Sequence, residues 1–262
     1  MKTKNKHQLP GVFLALVMTG GSARATIVMQ YSFEGNSNDS APGGVFADTL
    51  FYIPGASAST TARYAPGVVG QAGVFDGNSF FAQDSADLGI TTDWTIEAFI
   101  SVSVANGEWE RTVVKWGTTG QSYHFGLRNG SLNLFSGALG GMEVVNANTT
   151  PSTLFAAREW HHVAITSSLA GSEAWIDGAS VFTGPSITFP ENPVPLGIGD
   201  FTPGLGDNNA LRFHGLMDEV RIHDSAVDQA YIESRAALLV PEPSGLSFLG
   251  LSGLAFIARR RR

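Results

Sequence analysis

Asp218 is the residue that asks most of its surroundings. It lies in Leu216-Met217-Asp218-Glu219-Val220-Arg221-Ile222, where strand alternation puts Leu216, Asp218, Val220 and Ile222 on one face. A carboxylate among apolar neighbours is costly unless it is paired or bound to a metal. A second oxygen-rich group is Glu34-Gly35-Asn36-Ser37-Asn38-Asp39-Ser40. Oxygen donors around a glycine turn suit a hard cation, and they equally suit a polar turn at a strand end. Glu34, Asn36 and Asp218, with backbone carbonyls, are the expected ligands of a structural Ca2+ bracing the N-terminal loop against the last strand. Trp109 sits on a turn between Glu108 and Glu110. Its indole either stacks on a sugar ring, as a ligand-binding residue, or folds back over a neighbouring strand. His161 and His162 are adjacent and point to opposite faces of a strand, so they do not jointly ligate one metal.

Other chemistries are missing from the chain. There is no H-E-x-x-H helix, no G-x-S-x-G elbow and no phosphate loop. Cysteine is absent, which removes thiol catalysis and zinc-thiolate sites. Residues 26–240 carry eight arginines and lysines against 22 aspartates and glutamates, and Lys115 is their only lysine. That surface repels polyanions, so nucleic acid is not an expected partner; the acidity suits calcium capture and also solubility alone.

The elements that must position these groups are strands. Val28 to Phe33 reads as the first, followed by a long loop with one short strand over residues 41–70. Gly70 to Phe81 reads as a strand pair turning at Asp76-Gly77. Thr92 to Val104 has the cleanest alternation, with Trp94, Ile96, Ala98 and Ile100 on the buried face. Glu97 falls on the other face, either in solvent or on a concave binding surface. Arg111 to Trp116, Tyr123 to Leu127 and Ser131 to Phe135 follow, the last two joined through Asn129-Gly130, a hairpin turn signal. Arg158 to Thr166 and Glu173 to Ile176 pair next, closing on Asp177-Gly178. Residues 185–195 are proline-punctuated, Leu196 to Gly199 is a short strand, and Asp224 to Arg235 ends as a short amphipathic helix.

Trp160-His161-His162-Val163-Ala164 resembles the central hairpin of laminin-G-like domains in the concanavalin A-like jelly-roll superfamily. Gly73-Val74-Phe75-Asp76-Gly77, Trp94-Thr95-Ile96-Glu97-Ala98-Phe99 and Phe213 to Ile222 match further blocks in the family's order. The resemblance implies an all-β, two-sheet antiparallel jelly-roll sandwich over residues 26–238, with the histidine pair in packing and hydrogen bonding. It further implies a non-enzymatic binder of glycans or envelope components. Glycoside hydrolases on this fold carry an E-x-D-x-x-E strand, which this chain lacks. A polysaccharide lyase or hydrolase would need a Tyr/His/Arg set or clustered acids on one face, and a purely structural matrix protein would need neither.

Both ends read as addresses. Lys2, Lys4 and Lys6, the apolar run Val12 to Met18, and Ala23-Arg24-Ala25 have the order of a signal helix with an A-x-A cleavage site, making residues 1–25 a signal peptide and signal peptidase a partner. Residues 239–262 hold Pro241-Glu242-Pro243, a short hydrophobic helix over residues 245–258, and Arg259, Arg260, Arg261 and Arg262. Their order resembles the PEP-CTERM sorting signal of Gram-negative bacteria. That resemblance implies processing by an exosortase, a transient stay in the inner membrane, and release to the cell surface or extracellular matrix. A plain tail anchor is the other reading, although fourteen apolar residues are short for a span of about 20.

Overall fold

A computed structural model of the chain describes residues 25–45, 48–54, 60–103, 110–117, 119–147, 158–200 and 212–239. Ala23, Trp109, Pro241, Glu242, Pro243 and Arg259 to Arg262 lie outside the described residues, as do the expected signal helix and C-terminal hydrophobic helix.

The described strands form two antiparallel sheets. The eight-stranded sheet runs β13 (Ala179–Gly184), β12 (Gly171–Ile176), β11 (His161–Ser168), β6 (Trp94–Val102), β15 (His214–His223), β4 (Gln71–Asp76) and β3 (Tyr64–Pro66), with β1 (Ile27–Tyr31) also paired to β15. The seven-stranded sheet runs β10 (Met142–Ala147), β9 (Ser131–Ser136), β8 (Gln121–Arg128), β7 (Glu110–Trp116), β14 (Leu196–Ile198), β5 (Ser79–Ala82) and β2 (Phe51–Ile53). Their inner faces share one core. Ile96, Ile100, Val163, Ile165 and Ile222 come from one sheet, and Val113, Phe125, Leu132, Leu134 and Ile198 from the other. Aromatic rings fill one end, with Phe80 centred 5.5 Å from both Phe33 and Phe75. This is the sandwich the family resemblance implied.

The turns follow their residues. Asn129 and Gly130 have φ of 50° and 73°, and Asp177 and Gly178 have 50° and 82°, the left-handed pair that tight hairpins need. The expected strand pair around Asp76-Gly77 is corrected by the topology: β4 and β5 belong to different sheets, so this turn carries the chain across the sandwich. The 41–70 region contains two short strands rather than one, and each adds to an edge of a different sheet.

β6 departs from its expected one-sided burial, because all nine of its residues are buried. The second cover is α1 (Gln229–Ala236), capped by the Asp228 carboxylate accepting from the Tyr231 amide at 2.8 Å. Ile232 packs on Ala164 and Trp175, on the side of the sheet away from the core. Glu97 is therefore neither in solvent nor on an open binding surface.

Asp218 is also corrected. β15 pairs with β6 at Met217↔Ile100 and Asp218↔Phe99, then resumes at Arg221↔Glu97 and Ile222↔Ile96 after a bulge. Glu219 sits in that bulge at φ 51°. The extra residue reverses the alternation, so Val220 and Ile222 enter the core with Met217 while Asp218 faces outward.

Candidate functional site

Asp218 is fully buried despite facing out, because the β3–β4 turn folds over it. Its Oδ2 accepts from the Val69 amide at 2.8 Å, while Oδ1 is buried with no hydrogen-bond partner. Burial, then the Glu219 carboxylate, pushes its pKa up to about 7. Glu34 holds the other end of the same turn, accepting from the Gln71 amide at 3.1 and 3.2 Å. A side chain on Gly70 would strike the Glu34 carboxylate, so the close approach requires glycine there. Asn36 turns into its own loop, donating to the Glu34 carbonyl and accepting from the Asn38 amide, both at 3.0 Å. Two of the three expected ligands thus meet one turn, and the third does not join them. Among the described residues no three His, Asp or Glu side chains gather closely enough to hold a metal ion. Asp218, through its unmet oxygen, fits a hard cation; Asn36 does not.

A denser polar cluster lies under α1. The Glu97 carboxylate accepts from His162 Nε2 at 2.8 Å, His223 Nε2 at 3.1 Å and the Tyr231 hydroxyl at 2.6 Å. Arg221 and Arg235 stand 3.7 Å from it, and both also pair with Glu219. Burial alone would raise the Glu97 pKa, but the hydrogen bonds from His162 and His223 and the nearby cations hold it well below the usual carboxylate range. His161 faces the other way and bonds Asp177 Oδ2 at 2.7 Å. A Glu/His/Tyr/Arg set of the kind acid–base catalysis uses is thus present, sealed between sheet and helix. A cleft of about 1060 Å³ borders His223 and Tyr231, yet Tyr231 Oη and His223 Nε2 turn away from it toward Glu97.

The outer face of the seven-stranded sheet has a different character. Register puts Val114, His124, Phe135 and Glu143 in one row across β7, β8, β9 and β10. The His124 ring lies 5.6 Å from Phe135 and 6.3 Å from Trp116, forming an aromatic row in which Trp116 and Phe135 keep partial exposure. Burial, and next Arg111, pushes His124 down to about 3, so the row is neutral at ordinary pH. The neighbouring row holds Arg111, Gly126, Asn133 and Asn146. Arg111 and Arg212 converge on the buried Asp200 at 2.5 and 2.8 Å. Flat rings beside fixed hydrogen-bonding groups are what a sugar needs: apolar C–H faces stack and hydroxyls are read at the edge. None of these residues was singled out for binding in the sequence. Their signal was the polar and aromatic half of each alternation, Ser122-His124-Gly126-Arg128 and Ser131-Asn133-Phe135.

A family model described as the concanavalin A-like lectin/glucanases superfamily, Laminin_G_3, matches residues 73–233. No match was found among curated proteins. Among solved structures, domain 4 of AbnA, a GH43 extracellular arabinanase from Geobacillus stearothermophilus in complex with arabinotriose, superposes with a TM-score of 0.60 at 19% identity, covering 81% of this chain and 99% of that domain. The binding domain of Paraclostridial Mosquitocidal Protein 1 gives 0.58 at 17%, covering 80% of this chain. A botulinum neurotoxin type C structure, whose cell entry depends on two ganglioside molecules, gives 0.54 at 10% and covers 82%. The chain spans about half the length of these two toxin structures, at 52% and 51%. At such identities the likeness is one of fold.

The Glu97 cluster has a measurable consequence. Glu97→Gln leaves two buried guanidinium groups facing one carboxylate and should cost about 3 kcal/mol in urea unfolding. Because the folded pKa of Glu97 is depressed, its contribution is complete above the unfolded value of about 4.3 and is lost as pH falls below that value and through the folded one. The wild type should therefore lose stability below about pH 4 more steeply than Glu97→Gln, and parallel pH profiles would refute this account.

Proposed function

The chain belongs to the Laminin_G_3 family of the concanavalin A-like lectin/glucanase superfamily, and we propose that it is an exported, non-enzymatic surface or matrix protein that binds glycans on the outer face of its seven-stranded sheet. The Trp116–His124–Phe135 row carries the reading. Structural relatives crystallised with arabinotriose or dependent on gangliosides support it by analogy of fold. The absence of the E-x-D-x-x-E strand and the sealed state of the Glu97 cluster favour binding over turnover. Trp109 is proposed from its sequence position as a second stacking residue.

The addresses at the two ends complete the proposal. Signal peptidase removes residues 1–25, and an exosortase recognises Pro241-Glu242-Pro243 with the hydrophobic segment and Arg259–Arg262, passing the protein from the inner membrane of a Gram-negative bacterium to its surface or matrix. Among the described residues no helix is long and apolar enough to cross a membrane. A structural Ca2+ is the second element, favoured by the unmet, buried Oδ1 of Asp218. Asp218 would hold it with backbone carbonyls, Glu34 steadying the same turn, and the ion would supply the charge the buried carboxylate lacks.

Three outcomes are expected. Trp116→Ala should weaken retention of the still-folded protein in polysaccharide affinity gels about tenfold, the loss of roughly 1.4 kcal/mol of stacking; equal retention would remove this face from the reading. Calcium added to chelated protein should raise the melting temperature by about 5 °C at a hundredfold excess over the dissociation constant, and Asp218→Asn should abolish the rise; an unchanged melt in the wild type would dismiss the metal. Mass spectrometry of membrane and matrix fractions from the native cells should show matrix protein ending near Pro243. An intact Arg259–Arg262 tail confined to membranes would mean an anchor instead.

A further inference from the structure

The first strand is entered through a contact made by a backbone nitrogen. The Thr26 nitrogen donates to Asp224 Oδ1 at 2.8 Å, and the Asp224 amide donates back to the Thr26 carbonyl at 3.1 Å. Residues 26 and 224 thus extend the β1–β15 ladder one step past its Ile27↔His223 pair, with a carboxylate where a backbone carbonyl would ordinarily accept. The segment carrying that carboxylate is fixed. Ser225 Oγ donates to the same Oδ1 at 3.0 Å, and Thr95 Oγ1, from β6, donates to the Ser225 carbonyl at 2.9 Å and accepts from the Val227 amide at 3.0 Å.

Thr26 is also the residue that follows Ala23-Arg24-Ala25. Hydrolysis of the Ala25–Thr26 peptide bond leaves a carboxylate on Ala25 and turns the Thr26 nitrogen from a neutral amide into an α-ammonium. That nitrogen keeps a hydrogen for Asp224 and gains a full charge at the same place. A cut one residue to either side would not do this, because it would set the amine about 3.5 Å away along the extended chain. The other titratable groups around Thr26 are engaged elsewhere. Asp39, on the loop beside β1, accepts from the Gln30 and Ala41 amides, and Asp228 caps α1. His223 Nε2 and the Tyr231 hydroxyl are turned to Glu97.

We propose that Asp224 is the docking site of the chain's own processed N-terminus: removal of residues 1–25 creates an ion pair between the Thr26 ammonium and the Asp224 carboxylate, fastening β1 to the end of β15. The proposal rests on the signal-peptidase reading and adds to it the group that receives the new terminus. Both residues are exposed, so the pair is screened by salt and is best measured at low ionic strength.

The test uses protein purified from its own cells. The Thr26 amine, followed through the pH dependence of the Thr26 proton resonances, should titrate above the ordinary α-amino range of about 7.7–8.0. Asp224→Asn keeps an oxygen for the hydrogen bond and removes the charge, and it should return the amine to that range. A raised folded pKa contributes stability that is complete below the unfolded value and is lost as pH rises through the folded one. The melting temperature should therefore fall across that window more in the wild type than in Asp224→Asn or in Nα-acetylated protein, whose Thr26 nitrogen is again a neutral amide. An amine that titrates in the ordinary range, unmoved by Asp224→Asn, would overturn the ion pair and leave the processing reading intact. Mass spectrometry of the same sample tests that reading separately: a first residue of Thr26 is expected, and any other would overturn both the cleavage site and the pair.

Discussion

A fully buried carboxylate, Glu97, sets the terms for half of this structure. A charge in that position is tolerated only where donors surround it, and here they come from three different segments of chain. His162 arrives on β11, Arg221 and His223 on β15, and Tyr231 and Arg235 on α1. The Glu219 bulge is part of the same solution. Without the extra residue, Arg221 and His223 would continue into the core, and Val220 and Ile222 would face Glu97 instead. The helix is short and brings little apolar surface, Ile232 being its main contribution, so its docking depends on the polar cluster beneath it.

Most of the fold was readable because alternation, turn residues and the Trp160–Ala164 hairpin agree with one another. The 3.4 Å pleat forces every second side chain inward, and few arrangements other than a sandwich bury so many alternating segments. The reading failed wherever a residue count changed parity or a distant segment covered a face. Asp218 looked core-facing because nothing in Leu216–Ile222 announces a bulge; a glutamate at φ 51° carries none of the glycine signal that usually marks one. Glu97 looked exposed because α1, more than 130 residues later, is what covers it. β4 and β5 looked like a hairpin because Asp76-Gly77 makes the same tight turn whether the chain returns to its own sheet or crosses to the other.

The proposed binding face was hidden for a related reason. Trp116, His124, Asn133 and Phe135 come from three strands and acquire meaning only as rows across the sheet. Sequence spacing along a single strand shows alternation, while recognition of a sugar needs neighbours at right angles to it. Glu34 and Asp218, by contrast, were legible as residues with unusual demands. What could not be seen was that two backbone amides, of Val69 in the β3–β4 turn and of Gln71 just after it, would be the first to answer them.

The two outer faces of the sandwich are built differently, and the helix sits on only one of them. Because α1 covers the eight-stranded sheet, the helix stands on the side opposite the aromatic row. The first described residues share that side, since Thr26 is bonded to Asp224 just ahead of α1. The first described strand and the closing helix are thus gathered behind one sheet, which leaves the proposed binding row on the other sheet clear of both.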